Sequence, residues 1–319
     1  MKLCVFGAGA VGGHIAAKLA ASGEDVSVIA RGAHLRAIRQ NGLKLLHGEK
    51  TILARPRASE RPADFGPQDC VFVTLKANML GAFADGAAPL LGPDSAVVFV
   101  QNGIPWWYAR ELPRLDPGGR LARKIAAERI IGGVAYSANE VVEPGVIKNF
   151  VPGNNMLVVG EPDRSSSRRI IPLREILEKA DLSSPAVEDI RQSIWAKLLQ
   201  NLGTSSLCTL TGATVSDVRS DPWLSKVAAR LGAEGRAIAK ALAVQVELAP
   251  TRPSGGQGSG AVGHKPSMLQ DYERARPMEI EAQLMAPLEL ARSAGVEVPT
   301  LEAIACLVAQ KAAAKGLYS

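Results

Sequence analysis

KLCVFGAGAVGGHIAAKLAASGEDVSVIAR, residues 2–31, decides the fold. Residues 2–6 form a short apolar run of strand length, and residues 25–30 (DVSVIA) form another. Residues 10–22, between them, carry a helical pattern. The first strand is joined to the helix by Gly7-Ala8-Gly9-Ala10-Val11-Gly12, a G-x-G-x-x-G loop. The first glycine permits a tight turn, the second lets the backbone approach a pyrophosphate, and the third packs helix on strand. The helix N-terminus then offers unpaired N–H groups to phosphate. Alone, the motif is weak. After a strand, before a helix and inside a unit of about 30 residues, it reads as dinucleotide binding.

The same alternation continues outward. Residues 69–75 (DCVFVTL) and 95–100 (SAVVFV) are further buried strands, with a helical stretch at 78–91 between them. Strands alternating with helices imply βαβ units and a parallel sheet. Over residues 130–160 shorter strands joined by Gly, Pro and Asn turns extend the sheet at one edge, as antiparallel hairpins. From 187 onward the strand signal stops. Residues 189–204, 222–246, 267–293 and 298–315 are long helical patterns. The expected class is α/β: an N-terminal Rossmann-like parallel sheet with helices over 1–187, then an all-helical C-terminal domain over 188–319. Residues 109–128 read as an exposed basic excursion, and 251–263 as a Gly/Ser-rich loop.

Composition narrows the function. The chain has 319 residues, which suggests two domains at roughly 150 residues each. The net charge of +6 suits nucleic acid, an acidic membrane surface or a small anion. Only 4% of residues are aromatic, and the basic stretches at 110–124 and 164–169 are not interleaved with aromatics. Nucleic acid is therefore not the expected partner. No apolar run reaches about 18 residues, so no membrane helix is expected. The four Cys and four His show no CxxC or HExxH spacing, so neither a metal nor a disulfide scaffold is expected. Scattered Cys in a chain of this length read as reduced and cytoplasmic. His34, His47 and His264 are expected at the surface, and His14 on a helix surface or the phosphate side. No His stands out as an acid or base.

The candidates lie elsewhere. The second strand ends at Arg31, where an NAD site usually has Asp or Glu. A guanidinium suits a 2′-phosphate, which favours NADPH over NADH; a solvated loop arginine is the alternative. Lys76 follows the strand at 69–75 and Asn102 the strand at 95–100, at the carboxyl ends where ligands bind. Lys197, Asn201 and Ser205 recur every four residues as a narrow polar stripe, fit for a cleft wall or a solvated face. Ser267, three residues before Gln270, reads as a capping box as well as a carboxylate contact at a helix N-terminus. Glu279 is either a surface charge or part of the site. Trp106-Trp107-Tyr108 either walls a pocket or packs the basic excursion onto the sheet.

The GAGAVG loop, Arg31, Lys76, Asn102-Gly103, the run WAKLLQN, and SMLQD followed by Glu279 together resemble the ketopantoate reductase (2-dehydropantoate 2-reductase) family over nearly the whole chain. The resemblance implies NADPH-dependent reduction of a 2-keto acid, foremost 2-dehydropantoate to pantoate. It implies Lys197 as general acid, and Glu279 as the residue that holds the substrate hydroxyl and keeps Lys197 protonated. Asn102, Asn201 and Ser267 would bind substrate or orient the lysine, and Lys76 would contact the cofactor. A homodimer is compatible with the resemblance, although no sequence feature demands one. Ser205 stands where the family commonly has a second Asn, so it joins the substrate-binding set with a shorter side chain. Two alternatives stay open: another branched or aromatic 2-keto acid as substrate, and an NADP-binding sensor without turnover.

Overall fold

In the computed structural model, the described residues are 1–109, 112–165, 167–246, 263 and 265–318. His264 and residues 251–262 of the Gly/Ser-rich stretch lie outside them. The chain divides into two compact units, Met1–Gln101 with Gly118–Ile190, and Asn102–Pro117 with Arg191–Ser319. The sequence reading placed residues 102–117 within 1–187. They belong instead with the helical unit, because Ile104 N–H donates to the Ala282 carbonyl at 2.8 Å and the Trp195 indole donates to Tyr108 Oη at 2.8 Å.

The first unit is built on a seven-stranded sheet, ordered β11-β8-β7-β6-β1-β2-β5. Its strands are β1 (Lys2–Phe6), β2 (Asp25–Ile29), β5 (Arg57–Ser59), β6 (Gln68–Val73), β7 (Leu91–Val100), β8 (Ile130–Tyr136) and β11 (Met156–Gly160). All neighbours are parallel except β11 and β8, so the expected antiparallel edge is present. β9 (Asn139–Glu143) and β10 (Val146–Asn149) do not extend it. They join β3 (Leu43–His47) and β4 (Lys50–Ala54) in a second sheet, ordered β4-β3-β10-β9.

Helix α1 (Ala10–Ala21) packs on both sheets, touching β1 and β2 of one and β3, β4, β9 and β10 of the other. Residues 12–19 are all buried, polar His14 and Lys18 included, as a helix enclosed on all sides requires. A Cβ at Gly13 would approach the Ile147 side chain to 2.8 Å, so the second sheet sits close against the helix. His14 is therefore 1% exposed, not at the surface. Lys18 is also buried, and its Nζ donates to Asp181 Oδ2 at 2.6 Å and to the Asp181 carbonyl at 3.1 Å. His47 Nε2 lies 3.9 Å from the same carboxylate oxygen, which removes His47 too from the surface set. α2 (Gly32–Asn41), α3 (Leu80–Gly86), α4 (Arg120–Lys124) and α5 (Ile170–Lys179) complete the unit. Much of the excursion is thus short helix, tied down where Arg120 and Lys124 pair with Asp85.

The second unit is helical: α6 (Ile190–Leu202), α7 (Ser205–Thr211), α8 (Val215–Ser220), α9 (Leu224–Ala241), α10 (Ser267–Glu273), α11 (Ala286–Ser293) and α12 (Pro299–Ala313). A Cβ at Gly235 would meet Leu199 Cδ2 at 2.5 Å, so α9 lies directly on α6. The single helix expected over 267–293 is broken. Ala275 adopts φ +49 and Pro277 follows, so α10 ends at Glu273. The chain resumes as a π-helical turn at Glu281–Met285, which leads into α11.

Candidate cofactor and substrate sites

The glycine loop folds back against the end of β2. The N–H groups of Gly7 and Ala8 both donate to the Ile29 carbonyl at 3.1 Å, and Gly9 N–H donates to the Gly7 carbonyl at 2.8 Å. The first helical bond of α1 runs from Gly13 N–H to the Gly9 carbonyl at 2.7 Å. The N–H groups of Ala10, Val11 and Gly12 thus have no intrahelical acceptor. No acidic residue stands in this first turn. Gly7 has φ +108, and a Cβ at Gly12 would sit 2.1 Å from the Gly7 carbonyl oxygen. A Cβ at Gly9 would meet nothing within 4 Å, so that backbone is open to approach. Open donors, a positive helix end and a bare backbone fit a pyrophosphate.

Sheet order β6-β1-β2 sets two cations on either side of this loop. Arg31 is the exposed N-cap of α2, beyond the end of β2. Its guanidinium makes no hydrogen bond or ion pair among the described residues, while its carbonyl accepts from Leu35 N–H at 3.3 Å. Lys76 lies past β6 at the N-cap of a 3₁₀ turn, Ala77–Met79. Two residues of the loop's support escaped sequence reasoning. Thr74 Oγ1 donates to the Gly7 carbonyl at 2.7 Å. Its position at the carboxyl end of a strand was the available signal. His34, expected at the surface, is half-buried, and its Nε2 lies 2.6 Å from the Ala8 carbonyl.

In the helical unit, Lys197 and Asn201 share a face of α6 one turn apart. Lys197 is half-buried, and burial pushes its ammonium down from 10.5 to about 8. The stripe ends there. α6 stops at Leu202, and Ser205 is the buried first residue of α7. α7 packs on α10, the helix that Ser267 begins. Ser267 is exposed and makes no capping box: Pro266 is the N-cap, and Gln270 Nε2 donates to the Lys265 carbonyl at 2.9 Å. Glu279 is 8% exposed, which rules out a solvated surface charge.

The structure brings Asn102 into the neighbourhood of Glu279 through backbone contacts. Gly103 has φ +80, and a Cβ there would lie 2.3 Å from the Ala282 carbonyl oxygen. That oxygen accepts from Ile104, while Gln283 N–H reaches back to the Glu279 carbonyl at 3.2 Å. Glu281, which opens the π turn, gathers Arg114 Nη1 at 3.1 Å and the Tyr318 hydroxyl at 2.5 Å on one oxygen. Tyr108 is buried against α6, where its ring lies 4.4 Å from the Arg191 guanidinium carbon. Arg191 and Trp195, a turn apart, present Tyr108 a different face of α6 from the Lys197–Asn201 face. Of Trp106, Trp107 and Tyr108, Trp107 alone is half-buried, and its Nε1 is enclosed without an acceptor.

The sequence matches the family "Ketopantoate reductase PanE/ApbA" over residues 3–163 and the C-terminal portion of the same family over residues 189–312. A 2-dehydropantoate 2-reductase of Mesorhizobium japonicum is 42% identical, with all of both chains covered. A candidate ketopantoate reductase of Ralstonia solanacearum MolK2 superposes with TM-score 0.86 at 35% identity, covering 99% of each chain. A D-mandelate dehydrogenase solved with NADH and anilino(oxo)acetate shares the fold, with TM-score 0.84 at 21% identity, covering 99% of this chain and 100% of that one. Two family segments that span both units, and a relative aligned from end to end, show that the chain is an oxidoreductase acting on CH–OH groups and belongs to the ketopantoate reductase family.

Proposed function

We propose that the protein reduces 2-dehydropantoate to pantoate with NADPH. The observation that carries this reading is Lys197: an ammonium held near pH 8 by burial is still protonated at neutral pH, yet releases its proton readily. Bound NADPH supplies the hydride. The loop Gly7, Ala8, Gly9, Ala10, Val11 and Gly12 takes the pyrophosphate, Arg31 the 2′-phosphate, and Lys76 the remaining cofactor contact. Negative charge that develops on the keto oxygen is stabilised by the Lys197 ammonium, which then donates the proton. Glu279, buried, holds the substrate hydroxyl, and Asn102, Asn201, Ser205 and Ser267 orient substrate or lysine.

The test is a panel of 2-keto acids scored by NADPH consumption. The expected result is the highest kcat/KM for 2-dehydropantoate, with no turnover by Lys197→Ala although that variant still binds NADPH. Wild-type rates in Lys197→Ala would sink the mechanism. The second reading, another branched or aromatic 2-keto acid, is favoured by Ser205 in place of an amide and by the half-buried Trp107. Faster turnover of such an acid than of 2-dehydropantoate would establish it.

A further inference from the structure

We infer that His34 is a positioning residue for the cofactor loop, acting as a neutral imidazole with its proton on Nε2. This inference rests on the reading that the glycine loop holds the dinucleotide. His34 lies in the first turn of α2 and uses both ring nitrogens on backbone groups of other elements. Gly145 N–H donates to Nδ1 at 3.0 Å, and Nε2 lies 2.6 Å from the Ala8 carbonyl oxygen. A backbone N–H can only donate, so Nδ1 must be the acceptor. A neutral imidazole then carries its proton on Nε2, which donates to Ala8.

The two ends of this bridge differ in what they control. Gly145 is the turn between β9 and β10, already held on β3 by Lys44 N–H donating to its carbonyl at 2.9 Å. It has φ +79, and a Cβ there would press on Ala37 of α2 at 3.0 Å. This end is anchored without His34. Ala8 is held only from within the loop. Its carbonyl shares a planar peptide with Gly9 N–H, which donates to the Gly7 carbonyl at 2.8 Å, and His34 adds the tie from that peptide to α2. Gly9 is the residue whose backbone is bare toward an incoming ligand. The neighbouring Gly7 carbonyl is held by Thr74, and the Gly9 carbonyl by Gly13 N–H. His34 ties the peptide between them to an element outside the loop, so the carbonyls of three consecutive peptides are set before a ligand arrives. Preorganisation of this kind lowers the ordering cost of binding.

The test uses the full chain and NADPH itself, with Kd measured by titration. His34→Gln places an amide donor where Nε2 stands and keeps the Ala8 tie. His34→Asn places an acceptor where Nδ1 stands and keeps only the Gly145 tie. His34→Ala loses both. The expected result is Kd raised about tenfold in His34→Ala and His34→Asn, and near wild type in His34→Gln. Kd within twofold of wild type in His34→Ala would overturn the inference, as would rescue by Asn without rescue by Gln, or equal weakening in all three. Failure of the unaltered chain to bind NADPH or NADH would overturn the cofactor reading instead. In that case amide exchange reads the bridge directly. It must quicken at both Gly9 and Gly145 in His34→Ala, and unchanged protection would refute the bridge.

Discussion

In the proposed reaction, the surroundings of one side chain, Lys197, would set the operating range of the site. An exposed lysine keeps its proton to pH 10.4 or so. Burial brings Lys197 to about 8, so the protonated fraction falls above that value. The reduction rate should therefore hold from pH 6 to 7.5 and fall about tenfold per unit well above pH 8. A kcat profile at saturating NADPH and keto acid checks this; a flat profile to pH 9.5 would remove Lys197 as proton donor. Arg31 carries the second prediction at this scale. A charge-assisted fork on a 2′-phosphate has no counterpart in NADH. Arg31→Ala should weaken NADPH binding about tenfold while NADH binding moves less than twofold, as titration of both cofactors would reveal. Both residues were legible in the sequence because their positions after a strand and on a helix face follow from local periodicity. His34 and Thr74 were not, since their partners lie 26 and 67 positions away and no local pattern encodes such a contact.

Among the elements, the π turn at Glu281–Met285 explains how the Asn102 segment reaches the helical unit. Ala286 N–H donates to Glu281, one residue further back than an α-helix would place it. In that register the Ala282 carbonyl would need the N–H of residue 287, which is proline and has none. Its acceptor capacity is left open and is taken by Ile104. π turns of this kind recur at functional sites, and here one begins two residues after Glu279. Only glycine can occupy position 103, where positive φ and the Ala282 backbone leave no room for Cβ. Gly103→Ala should cost about 2 kcal/mol or more and shift Asn102. Urea unfolding should show the loss, together with a higher KM for the keto acid at an unchanged Kd for NADPH. Unaltered stability would mean that the contact yields. The periodicity of 267–293 concealed this turn, because both helices keep apolar residues at helical spacing and only Pro277 and Pro287 marked the interruptions. The second sheet was missed for a related reason: β3 and β4 are five-residue strands, half-exposed, with charged residues among them.

At the scale of the molecule, the enclosure of α1 between two sheets has a cost in acid. Burial, then the neighbouring Lys18 and His47 charges, hold His14 down at about 3, against partial relief from Asp181. Its ordinary value is 6.5, so between 6.5 and 3 the unfolded chain binds a proton that the folded chain refuses. Protons bound preferentially by the unfolded state make stability rise with pH. This contribution is intact above pH 6.5 and is lost as pH falls, by up to about 1.4 kcal/mol per pH unit. Replacing His14 with Gln should flatten the difference in unfolding free energy between pH 7 and pH 5, measured by denaturant titration at each pH. An identical slope in both proteins would show that His14 does not drive the loss. A histidine on the helix surface, one of the two placements the sequence left open, would have no such effect. What the sequence determined by itself was whatever local spacing encodes: the strand–glycine–helix start, the alternation behind the parallel sheet, the helical second half, and the residue types suited to a dinucleotide and a keto acid. Tertiary structure alone decided which elements share a sheet, that residues 102–117 join the helical unit, and which backbone carbonyls His34, Thr74 and Ile104 would find. Those outcomes depend on hydrogen-bonding groups brought together from distant parts of the chain, and burial there requires each to be paired.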